Sequence, residues 1–95
     1  MDRNEMDKNE RFAKKIYIGV LAITHPDGSI VPLRLIWPDG RSWEIDRLLD
    51  VRPAVARKAG GEGLRFLCRI NGHEKELWYA HGQWFVEGGE EGVWQ

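Results

Sequence analysis

The chain has one cysteine, Cys68, so no internal disulfide can staple it, and that usage fits a reducing compartment. It also has no long apolar run. The longest, from Ile16 to Ile23, falls well short of the roughly 20 residues of a membrane-spanning helix, and residues 1–11 contain no apolar leader. A soluble, cytoplasmic protein without membrane association is the expectation. A surplus of one charge is missing too: fourteen Lys/Arg stand against fifteen Asp/Glu, a net charge of -1. Residues 30–70 hold eight Lys/Arg and five Asp/Glu, whereas residues 71–95 hold one and five. A mildly basic middle and an acidic end can steer a partner, but they are too little for a surface that tracks phosphates.

Length sets a further limit. Ninety-five residues make one small domain that buries roughly 60 to 65% of its unfolded surface, which leaves little room for a deep, dry catalytic chamber. Yet a hydrophobic fraction of 42% and five tryptophans are too rich for a disordered chain. Residues 1–11 (MDRNEMDKNER) mix charges without an apolar stripe, and residues 88–95 (GGEEGVWQ) are rich in glycine and acid, so both ends are expected to be disordered tails. Val93 and Trp94 are the two tail residues able to dock on the domain. A single β domain over residues 12–87 remains.

Turn signals recur about every ten residues between those ends, and helical periodicity is absent, the spacing of an antiparallel meander. His25-Pro26-Asp27-Gly28 and Trp37-Pro38-Asp39-Gly40 repeat one turn: proline presets its first dihedral, and glycine takes the left-handed position of a bulged hairpin. These turns set Thr24 opposite Ile30 and Ile36 opposite Ser42. Extending the registers puts Tyr17, Gly19, Leu21 and Ile23 on a core face with Val31, Leu33, Leu35, Trp37, Trp43 and Ile45. The other face holds Ile16, Ile18, Val20 and Ala22, so the first strand is apolar on both sides, to be covered either by another segment or by a second chain.

A second meander follows Gly60-Gly61-Glu62-Gly63. Residues 64–70 alternate strictly, Asn71-Gly72 is a strong two-residue hairpin signal, and His81-Gly82 precedes a last strand. Leu64, Phe66, Cys68, Ile70, Leu77, Tyr79, Trp84 and Val86 then share a core face. Between the meanders the alternation blurs over residues 46–53, which suggests a bend, with one helical turn over residues 54–59. The expected fold is all-β, a small six-stranded antiparallel barrel or two-sheet sandwich built from two three-stranded meanders.

The strings DGSIVPLRLIWPDGRSWEIDRLLDVRPA, GGEGLRFLCRINGHEKELW and GQWFVE resemble a family of small uncharacterised bacterial proteins. That family pairs a PLxIxWxDGRxWxID hairpin with a DVRxA linker, a GGxGxRYxCRI strand and a GRWFVE ending. The resemblance covers roughly Pro26 to Glu87. It implies a compact domain and transfers no catalytic residue, since the family has no established activity.

Little else in the sequence carries chemistry. His25, His73 and His81 fall in turns without the spacing that converges metal ligands, so no metal or other cofactor is expected. Cys68 falls on a core face, and Gly60–Gly63 lacks the Lys-Ser/Thr of a phosphate loop. Asp46 and Asp50 alternate with Arg47 and Arg52, the pattern of a charge-paired bend. What stands out is Arg65, Trp78 and Phe85, side by side on an outer face, a group able to stack on a peptide side chain or a base. The expectation is a non-catalytic protein-interaction module, not an enzyme, with those three residues as its contact patch. The competing readings are a small barrel binding single-stranded nucleic acid and a homo-oligomeric structural protein, for which the outer face would be a homodimer contact.

Overall fold

In the computed structural model, residues 14–55 and 62–88 are described, and they form seven strands. These are β1 (Lys14–Thr24), β2 (Ile30–Ile36), β3 (Ser42–Glu44), β4 (Arg47–Val55), β5 (Glu62–Ile70), β6 (His73–Ala80) and β7 (Gln83–Gly88). Gly88, expected to begin the C-terminal tail, instead ends β7; the rest of the expected tails, Val93 and Trp94 among them, and the glycines at 60 and 61 lie outside the described residues.

The turns form as their residues dictate. Gly28 and Gly40 have φ of 92° and 97°, and each closes its turn by donating its amide to the carbonyl three residues back, Gly28 to His25 and Gly40 to Trp37, both at 2.8 Å. Asn71 and Gly72 (φ 54° and 81°) make the two-residue hairpin between β5 and β6, and His81 and Gly82 (φ 55° and 77°) make the same turn between β6 and β7. Positive φ at both central positions is the signature of a turn whose twist matches that of the strands. Thr24 does face Ile30, and Ile36 faces Ser42.

The strands join in one antiparallel sheet, in the order β3-β2-β1-β7-β6-β5-β4, that curls into a half-barrel. Two expectations are corrected here. The count is seven, because residues 47–55 pair with β5 along their length instead of bending, and Ala54 and Val55 belong to that strand and not to a helical turn. The two meanders are also not separate layers: β1 pairs with β7 from Lys14↔Gly88 to Ile18↔Trp84 and fuses them. β3 and β4, the two edges of the sheet, follow one another in the chain. At their junction the Ile45 amide donates to Leu33 O at 2.9 Å and the Asp46 amide to Arg69 O at 2.8 Å, so one end of the curl is drawn together.

A third correction concerns the face of β1. Leu21 pairs with Arg34 but Ala22 pairs with Pro32, so Leu33 is an extra residue, a β-bulge. Beyond it the register moves by one, and Val20 instead of Leu21 shares a face with Leu35. Ile16 and Ile18 therefore pack into the core, while Tyr17, Leu21, Ile23 and Leu33 are turned to solvent. A one-residue shift exchanges every side chain between faces, and a bulge leaves no sharp mark in the sequence.

The core fills the concave side. Leu35, Phe66, Cys68, Ile70, Leu77 and Val86 are buried there, with Trp37, Trp43, Ile45, Tyr79 and Trp84 packed around them. Phe66 and Tyr79 each lie 4.9 Å from Trp84, ring centre to ring centre. Each fully buried aliphatic side chain such as Leu77 contributes about 1.5 to 3 kcal/mol. Close approach of β5 and β6 requires Gly63, since a Cβ there would lie 2.5 Å from the Tyr79 carbonyl oxygen.

Candidate functional site

The registers set five residues in one row across the outer face: Arg52, Arg65, Trp78, Phe85 and Tyr17, on β4, β5, β6, β7 and β1 in turn. Arg65, Trp78 and Phe85 are thus neighbours, as the alternation requires. Their expected exposure is not what the structure has: Trp78 is 4% and Phe85 3% exposed. The two rings stack, 6.2 Å apart and 11° from parallel, and pack against Ala54 and Ala80. Tyr17 meets Phe85 edge-on at 5.8 Å, and Lys15 Nζ lies 4.7 Å from the centre of the Phe85 ring. The pair forms a second, smaller core on the outer side of the sheet. Trp78 Nε1 is buried there without a hydrogen-bond partner.

Arg65 is held by carboxylates. It donates to Glu76 at 2.8 Å and to Asp50 at 3.5 Å, and Asp50 also accepts from Arg52 Nε at 2.8 Å. Of the alternating acids and arginines at 46–52, Asp50 and Arg52 enter this network, which runs along the outer face of β4 to β6. Arg34 likewise bonds Glu44 at 3.0 Å and Ser42 at 2.9 Å, and Arg41 bonds Asp39 at 2.7 Å. On the edge strand β4 the charges of Asp50 and Arg52, the register shift between Leu48 and Asp50, and Pro53 blunt the edge against the addition of a further strand.

The titratable groups are spread out. His25, His73 and His81 are all exposed at turns, and no group of three or more metal-ligating side chains occurs among the described residues. Cys68 is fully buried, and that burial pushes its thiol up to about 12, far from the thiolate a nucleophile needs. A wide-mouthed cavity of about 680 Å³ at the end of β4 to β6 is lined by Pro53, Ala54, Gly63, Leu64, Tyr79, Ala80 and His81, and no acid or thiol points to chemistry there.

What the alternation missed is the surface beside the ring pair. Tyr17 is 50%, Leu21 54%, Ile23 45% and Leu33 45% exposed, with half-buried Val31 and Ile36 between them. Gly19 interrupts the outer side of β1 between Tyr17 and Leu21 and lies opposite Ile36. The result is an apolar strip along β1 that continues on β2 through Val31, Leu33 and Ile36, with the Arg34–Glu44 pair beside Leu21 dividing its β2 side. The signal for it was the unbroken apolar run of β1, which no single buried face can absorb.

The fold and this surface define a small half-barrel with an apolar outer strip. No family model, no curated protein and no solved structure matches the chain.

Proposed function

We propose that the protein is a non-catalytic interaction module of the cytoplasm that docks another protein on the outer face of β1 and β2. The observation that carries this is the exposed strip of Tyr17, Leu21, Ile23 and Leu33. Contiguous apolar surface of this kind mostly marks an interface, because a monomer gains nothing by wetting it. The contact patch accordingly moves one strand over from the Arg65, Trp78 and Phe85 group, whose buried rings stiffen the sheet behind it. Tyr17 joins the two, touching Phe85 with its edge.

A protein partner is favoured over single-stranded nucleic acid on two grounds. Base stacking needs exposed rings, and the Trp78–Phe85 stack is buried. Phosphate tracking needs free cations, and Arg34, Arg41, Arg52, Arg65 and Arg69 each have a carboxylate within 4 Å. The likeness to the family of small bacterial proteins belongs to the same proposal and adds no catalytic group to it.

The test is a photo-cross-linking amino acid placed at Leu21 in the living cell, with Glu76 as the control position on the same outer face. Protein adducts are expected from position 21 and not from position 76. Absence of any adduct at position 21 would remove the proposal.

A further inference from the structure

The outer face of β4 and β5 carries two pairs of arginines set directly opposite one another, Arg52 with Arg65 and Arg47 with Arg69. Like charges in register across two strands repel, so each pair calls for an anion between its members. The first pair has one built in. Asp50 Oδ2 accepts from Arg52 Nε at 2.8 Å and from a terminal nitrogen of Arg65 at 3.5 Å, and Glu76 accepts from the other arm of Arg65 at 2.8 Å. Two arginines are matched there by two carboxylates.

The second pair is one carboxylate short. Arg69 reaches Glu74 at 3.6 Å, with both side chains about half exposed. Arg47, exposed on the edge strand, makes no hydrogen bond or ion pair through its side chain with any described residue. Asp46 stands next to it in the chain, but its amide is spent on the Arg69 carbonyl at 2.8 Å, and its carboxylate forms no ion pair with either arginine. Asp50 is committed to the first pair. The same bond from the Asp46 amide ties the start of β4 to β5, so the backbones that carry the two free forks are fixed beside each other.

We propose that Arg47 and Arg69 form a site for a single oxyanion, a carboxylate or phosphate group supplied by another molecule, which takes the place that Asp50 holds in the first pair. A guanidinium presents its N–H groups in a planar fork that matches either group, and it gives up its own hydration cheaply. One such site is not a track for a phosphate backbone. It lies on β4 and β5, away from the strip on β1 and β2, so its test stands apart from the cross-linking result.

Nitrogen–proton NMR of the arginine Nε groups tests this, with inorganic phosphate and, separately, acetate titrated at constant ionic strength. The Arg47 and Arg69 signals should move together along one saturating curve, while those of Arg52 and Arg65 stay nearly still. Saturation by phosphate alone assigns the site to a phosphate group, and saturation by acetate as well assigns it to an acidic side chain of a partner. Arg47→Gln should weaken phosphate binding about tenfold. Arg47→Glu builds the missing carboxylate into the chain and should raise the urea midpoint, and phosphate should then raise the midpoint of the wild type but not of this variant. Signals that never saturate, or that move equally at all four arginines, show only screening by salt and overturn the site, as does an Arg47→Glu variant less stable than the wild type.

Discussion

Trp78 and Phe85 stack on the outer side of the sheet, 11° from parallel, and are as buried as the concave core. Their loss should therefore act on the fold and not on a contact alone. Phe85→Ala or Trp78→Ser is expected to cost about 3 to 5 kcal/mol, a large share of the net stability of a small domain, read from urea denaturation. Leu21→Ser, at an exposed position, should move the midpoint little. Equal losses at all three positions would contradict the assignment of faces.

Two glycines should respond with opposite sign. Gly63→Ala forces a methyl against the Tyr79 carbonyl and Ala80 Cβ and should destabilise by about 1 to 3 kcal/mol. Gly19→Ala meets only Ile36 at ordinary distance and should stabilise by about 0.5 to 1 kcal/mol, through a less disordered unfolded chain. Chemical denaturation of the two variants decides both.

Cys68 predicts a dependence on alkaline pH. Its thiol sits at about 12 in the folded chain against an ordinary 9.0, so the folded state holds the proton more tightly than the unfolded state. The corresponding stability is intact below pH 9.0 and is lost as pH rises from there towards about 12. Stability should fall more steeply over that window in the wild type than in Cys68→Ala. A thiol reagent at pH 8 should modify Cys68 no faster than the chain unfolds.

The Asp27 carboxyl should titrate below its ordinary 3.8, because the Ser29 amide and then the Ser29 hydroxyl donate to it. Whatever this turn adds is present above pH 3.8 and lost as pH falls through the lowered value. Carbon NMR of the side chain should show Ser29→Ala moving the Asp27 midpoint partway back up, since the amide bond survives. Asp39, held mainly by the Arg41 amide, should not move. An unmoved Asp27 would mean that the hydroxyl bond does not form in solution.

The local devices of this fold were legible in the sequence. Pro-Asp-Gly and Asn-Gly fix their own turns, and the strict alternation from Leu64 to Ile70 names the buried face of β5 without help from the rest of the chain. What was hidden depends on distant partners. The β1–β7 pairing joins segments near opposite ends of the domain and has no turn to announce it. β4 alternates poorly because of its bulge and Pro53, yet β5 holds it as a strand. The same limit governed the site: alternation placed Arg65, Trp78 and Phe85 together, but exposure depends on what packs over a face, and the Leu33 bulge decided which side of β1 is wet.

The rung that joins Lys14 to Gly88 brings the entrance and exit of the domain side by side. A domain whose ends meet is a cassette: it can be spliced into a loop of a host protein, or its ends can be sealed and the ring reopened at the Asn71-Gly72 hairpin, without parting any strand from its neighbours.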